Sequence, residues 1–154
     1  MKYITSLICF GFLLSCSIAM AGAWDMGPFD NDDALDFVSE LEDSDSTSIL
    51  ERAFKDVTRS VLYISAPECS RAVAAAEVVA AWAGNPRAEI PDEVASWVRS
   101  KNRVADEELI ALARKAVAVV RDSSKSELAD LWRDSGSNYD VWHASLTDLL
   151  TRLS

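Results

Sequence analysis

Positive charge, histidine, cysteine and glycine are all scarce in this chain of 154 residues. Fifteen Lys and Arg stand against twenty-five Asp and Glu, a formal net charge of −10 at pH 7. So acidic a chain repels nucleic acid and anionic lipid faces. Its field favours a basic protein or a cationic ligand instead, or simply keeps the chain soluble. The one histidine, His143, cannot alone make a zinc site of ordinary composition. The five glycines build no phosphate-cradling loop, and neither Gly-x-Ser-x-Gly nor Cys-x-x-Cys occurs. The sequence therefore names no cofactor, no metal ligand set and no catalytic constellation. No stretch keeps up the two-residue alternation of a half-buried strand, which points away from sheet structure.

Charge is also missing from the N-terminus: none occurs between Lys2 and Asp25. Lys2, the apolar run Ile4 to Leu14 and the small residues Ser15 to Ala21 have the three-part layout of a secretory signal. Ala19 and Ala21 are short enough for the two peptidase pockets, which places cleavage before Gly22. Two rival readings exist. Leu13-Leu14-Ser15-Cys16 has the form of a lipobox, in which Cys16 is lipidated and tethers the domain to a membrane. Alternatively, the uncharged stretch is never cut and spans the bilayer, for which about 20 residues suffice. Each reading sends the chain out of the cytoplasm, periplasmic or secreted, with membrane contact only through the signal or a lipid anchor. Cleavage after Ala21 leaves residues 22–154, with Lys2 the only charge removed and the net charge one unit more negative. Cys9 and Cys16 leave with the signal, so Cys69 has no partner for an internal disulfide.

What the chain does have is helical periodicity. Asn31 is a good N-cap with Asp32 and Asp33 in the first turn, and Ala34, Phe37, Val38 and Leu41 form one apolar stripe. Ser48 and Glu51 have capping-box spacing ahead of Leu50, Ala53, Phe54, Val57, Val61 and Ile64. A helix opening near Pro67 is apolar on nearly all sides from Ala72 to Ala83, with Glu77 its only charge. Such a helix belongs in the middle of a bundle. Gly84 stops it. Pro91-Asp92-Glu93 opens a short helix with Val94, Trp97 and Val98. Asp106 to Glu108 open another, carrying Leu109, Leu112, Ala113, Ala116, Val117 and Val120. Ser124 and Glu127 have capping-box spacing before Leu128, Leu131 and Trp132. A turn at Gly136 to Asn138 leads to a last helix with Trp142, Leu146, Leu149, Leu150 and Leu153. The expectation is an all-α domain over 22–154, a single irregular or orthogonal bundle of about seven helices.

The run Gly-Ala-Trp-Asp-Met-Gly-Pro-Phe-Asp-Asn-Asp-Asp-Ala-Leu-Asp, from Gly22 to Asp36, resembles the opening of an uncharacterised bacterial family, domain of unknown function 4259. Members of that family begin Gly-Ala-Trp-Gly and continue Phe-x-Asn-Asp-x-Ala-x-Asp. The likeness extends through Ala66-Pro67-Glu68-Cys69-Ser70, the Ala74 to Ala81 helix, Pro91 to Val98 and Ser126 to Trp132, and so covers Gly22 to Ser154. Asp25 stands where the family usually has Gly. Many relatives start Met-Gly-Ala-Trp, and cleavage after Ala21 would recreate that start. The resemblance implies no enzymatic activity.

Candidate sites are few. Asp25, Asp30, Asp32, Asp33 and Asp36 are the one dense set of acids, but an EF-hand loop starting at Asp30 fails, with Ala34, Leu35 and Leu41 at positions five, six and twelve. Helix capping and solvated charge explain them more simply than a cation site. Trp24 and Phe29 flank the rigid Gly27-Pro28 turn; they serve either as core packing or as aromatic anchors for a partner. Cys69 lies in the first turn of its helix, where the dipole favours a thiolate, yet a nucleophile also needs a base. The bland reading is a buried small residue, with His143 on the flank of the last helix. The sequence thus supports an exported protein-binding module first, for instance an immunity-type inhibitor of an envelope toxin or hydrolase. An enzyme using the acids with a metal, or Cys69 with His143, comes second.

Overall fold

A computed structural model describes residues 27–154 apart from Asp45 and Ser123. Among these residues there are seven helices and no strand. They are α1 (Asp32–Glu42), α2 (Ser48–Thr58), α3 (Ala66–Trp82), α4 (Asp92–Ser100), α5 (Glu107–Arg121), α6 (Glu127–Asp134) and α7 (Asn138–Arg152). The all-α expectation holds. None of the described helices is long and apolar enough to cross a membrane.

The order of the fold follows from α3. Ala72, Ala74, Ala75, Ala76 and Ala80 are fully buried, and their small side chains let the backbones of neighbours come close. As a result α3 touches each of the other six helices. The carboxylate of Glu68 fixes its start by accepting from the Ser65 N–H at 3.1 Å and the Ser65 hydroxyl at 2.8 Å. Gly84 fixes its end. With φ at +94°, Gly84 turns the chain so that its own N–H bonds Ala81 O and the Asn85 N–H bonds Ala80 O, which satisfies two terminal carbonyls.

The other helices lay one stripe each against this axle. Ala34, Phe37, Val38 and Leu41 of α1 are buried as their spacing predicts, and so are Leu50, Ala53, Phe54 and Val57 of α2. In α5 Leu112 is only half-buried, while Leu109, Ala113, Ala116, Val117 and Val120 are buried. Trp82 and Trp97 meet edge to face at 5.5 Å, and the Trp97 indole N–H donates to Ser44 O at 2.8 Å, tying α4 to the end of α1.

Three local readings need correction. First, α2 stops at Thr58, so Val61 is not part of its stripe and is 90% exposed. The Ser60 hydroxyl accepts from the Leu62 N–H and donates to Leu62 O, both at 3.2 Å, a local turn that competes with continued helix. Second, the caps of α2 and α6 are each displaced. Thr47, not Ser48, precedes α2 and makes no side-chain cap. Ser126, not Ser124, caps α6 by accepting from the Ala129 N–H at 3.1 Å. Glu127 is thereby freed to accept from the Ala66 N–H at 2.7 Å, joining the starts of α6 and α3. Third, Leu131 is 44% exposed rather than core.

Candidate interaction surface

The acidic run near the N-terminus does not converge. The Asp30 carboxylate turns back to accept the Gly27 N–H at 2.7 Å. A side chain at position 27 would put its Cβ 2.0 Å from that oxygen, so the turn requires glycine. Asn31 caps α1 by accepting the Ala34 N–H at 3.0 Å. Asp32 and Asp33 occupy the first turn of α1, where the dipole favours them. Asp33 and Asp36 add to the field on Arg71, whose guanidinium makes two bonds to Glu40 at 2.9 and 2.8 Å and lies 5.6 Å from the Phe37 ring centroid. The hydrogen bonds from Arg71 hold the Glu40 carboxyl below the usual carboxylate range. Among the described residues no three His, Cys, Asp or Glu side chains form a group able to hold a metal ion.

The aromatic and thiol candidates resolve differently. Phe29 is buried in the main core cluster, so its ring is not presented to a partner. Trp24 and Asp25 lie outside the described residues, as do Cys16, Ala19, Ala21 and Gly22. Cys69 is fully buried, its Sγ 3.3 Å from Ser126 Oγ and 3.9 Å from Ile64 O. Burial pushes the thiol up, so the helix start does not yield a thiolate there. His143 is half-buried and packs its ring against Tyr139 at 5.7 Å.

A different surface stands out. Val61, Leu62 and Tyr63 are consecutive and all exposed, at 90%, 73% and 53%. Scattered exposed apolar residues are ordinary, but three large ones in succession form a continuous exposed strip. This run is not a loose loop. On its N-terminal side the Ser60 turn holds Leu62 at both backbone groups. On its C-terminal side Ile64 forms a parallel bridge with Ser126, its N–H donating to Lys125 O at 2.8 Å and its carbonyl accepting from the Glu127 N–H at 3.0 Å. The buried Ile64 side chain pins the base. The Tyr63 hydroxyl donates to Asp130, next to the exposed Leu131, and that bond pushes the phenol up to about 12. Asp130 also pairs with Arg133. The ridge therefore stands beside α6, whose first turn carries Glu127 and Asp130.

A cleft lies on another side of α3. Gly27, Pro28 and Asn31 form one wall, Ser70, Val73 and Glu77 the floor, and residues of α6 and α7 the far wall; its volume is only about 30 Å³. Trp132 and Trp142 stack there at 6.1 Å. Glu77, almost wholly buried, accepts two bonds from Arg152 at 2.8 Å each.

Comparison with known proteins places the chain at this point. A family model described as a domain of unknown function (DUF4259) matches residues 22–145. The chain belongs to that family. Neither the curated proteins nor the solved structures gave a significant match. The matched DUF4259 region begins at Gly22 and takes in the ridge and all of the cleft's lining except Leu146.

Proposed function

We propose that this DUF4259 domain is an exported protein-binding module that recognises a basic protein through the Val61–Tyr63 ridge. The observation that carries the reading is the ridge itself: three consecutive large apolar side chains held in water on a segment anchored at both ends. Pre-anchoring lowers the ordering cost of association, and an exposed aromatic among aliphatic neighbours is the composition of a binding hot spot. The acids beside it on α6, and a net charge of −10, favour a cationic partner and speed its approach. The signal-like N-terminus, with the family match opening at Gly22, supports action outside the cytoplasm. Inhibition of an envelope toxin or hydrolase is the more specific form of the same reading. The enzymatic alternative has less support, since Cys69 is buried and protonated and the acids of α1 are engaged in capping or face Arg71.

The test is capture of the tagged chain from its own envelope fraction, followed by titration of the recovered partner against wild type and a Leu62→Ala/Tyr63→Ala variant. Loss of two hot-spot side chains is expected to weaken binding by at least about tenfold with an unchanged circular dichroism spectrum, and the wild-type affinity should fall with added salt. Equal affinity of the variant, or binding that ignores salt, overturns the proposal.

A further inference from the structure

The turn at Gly84 leads into a loop that is fastened to the end of α7. The Asn85 side-chain amide donates to Arg152 O at 3.0 Å, and Asn85 O accepts from the Arg152 guanidinium at 3.4 Å. Beyond this root, Pro86 to Glu89 form one wall of an open recess of about 410 Å³. Ser145, Asp148 and Arg152, on one face of α7, form the other wall, and the buried Glu77 lies at the bottom. A recess of this size is large enough for a small molecule. Its charged groups divide into two sets. Arg152 is fully engaged, with two hydrogen bonds to Glu77 and a third to Asp148. Asp148 uses one oxygen in that contact, and its side chain is 64% exposed. Arg87 and Glu89 are unengaged: neither side chain has an ion pair or hydrogen bond among the described residues, although Arg87 is half-buried. A guanidinium drawn partly out of water is suited to take a carboxylate in its fork of donors.

We infer that this recess binds a free basic amino acid of the lysine or arginine class. Its carboxylate meets Arg87, and its α-ammonium meets Glu89, two residues along the same loop. Its side-chain cation crosses the recess to Asp148 on α7. Pro86 and Ala88 give the aliphatic stem an apolar surface. The net charges also match. Three carboxylates and two guanidinium groups leave the recess with one negative charge in excess, and a basic amino acid carries one positive charge in excess. Arg152 acts indirectly, holding Asp148 and the root of the loop in place. The ridge precedes the start of α3 and the Arg87 loop follows its end, so the site is separate from the ridge and does not depend on it.

The test is titration of the protein, expressed from Met1 and purified as the cell leaves it, with L-lysine, followed by amide chemical shifts. Saturable shifts are expected at Arg87 to Glu89 and along Ser145 to Arg152, and none with L-glutamate. Cadaverine, which is lysine without its carboxylate, should bind wild type at least about tenfold more weakly than lysine does. Arg87→Gln should weaken lysine by a similar factor and leave cadaverine unchanged, and Asp148→Asn should weaken both. Absence of a saturable shift up to about 10 mM L-lysine, or shifts centred elsewhere, overturns the inference. So does cadaverine binding as tightly as lysine, which would mean a diffuse attraction of cations to an acidic surface. An Arg87→Gln chain that keeps full affinity for lysine overturns it too. The comparison of lysine with cadaverine needs only wild type, so it decides even where a variant fails to fold.

Discussion

Removal of the Arg152 guanidinium should be the most damaging single change at the end of α7. Arg152 gives Glu77 two hydrogen bonds at 2.8 Å, and the side-chain exposures of the pair are 16% and 4%. Two unit charges about 4 Å apart attract by about 4 kcal/mol at the effective dielectric of a protein's outer layers. Without Arg152 the carboxylate stays in the middle of α3, 4% exposed, with its charge partner gone. Deleting one member of a buried pair costs about 3–5 kcal/mol, so Arg152→Met should lower stability by that amount. At the several degrees per kcal/mol expected for a domain of this size, the melting temperature falls by about 10–20 °C. Glu77→Met should cost less, about 1–2 kcal/mol, because Arg152 keeps Asp148 at 2.7 Å and partial access to water. The double variant Glu77→Met/Arg152→Met buries no charge and should recover most of the loss. Urea and thermal unfolding followed by circular dichroism measure all three. A loss under about 1 kcal/mol in Arg152→Met, or a double variant as unstable as that single one, refutes the reasoning.

Two further outcomes follow from the same structure. Cys69 should react with iodoacetamide at pH 8 at least about 100-fold more slowly in the native chain than in urea, because its thiol is buried and held protonated; mass spectrometry of the Cys69 peptide reads the ratio, and similar rates would refute it. Glu40, whose carboxyl Arg71 holds below its ordinary value, adds stability above about pH 4.3 that is lost as pH falls through the lowered value. The stability gap between wild type and Arg71→Met should therefore be small, under about 1 kcal/mol for so exposed a pair, and should narrow as pH falls below about 4.3; a gap independent of pH would assign the effect to packing on Phe37.

The stripes of α1 and α5 and the all-round burial of α3 were legible because each follows from local spacing: three or four residues apart on a helix means one face. The burial of Cys69 was equally legible. The ridge was not. Val61 and Ile64 continue the period of α2 in sequence, and Ser60, whose turn competes with the helix, is too common a residue to mark its end at Thr58. Ile64 is drawn away by its bridge to Ser126, 62 positions on, and a pairing at that separation leaves no mark in a short window. The same bridge moves the cap of α6 from Ser124 to Ser126 and turns Glu127 toward Ala66. The acids of α1 were legible as a charged run, but their engagement with Arg71, an element away, was not.

The sequence by itself determined the class of the fold, the family, and which helix lies at the centre, since these rest on composition and on periods of one or two turns. Tertiary structure alone decided which apolar residues face water, which charge pairs are buried, and that the Ser70 hydroxyl has no partner among the described residues. Those properties depend on contacts between segments far apart in the chain, and distance in sequence carries no information about them until the helices have packed.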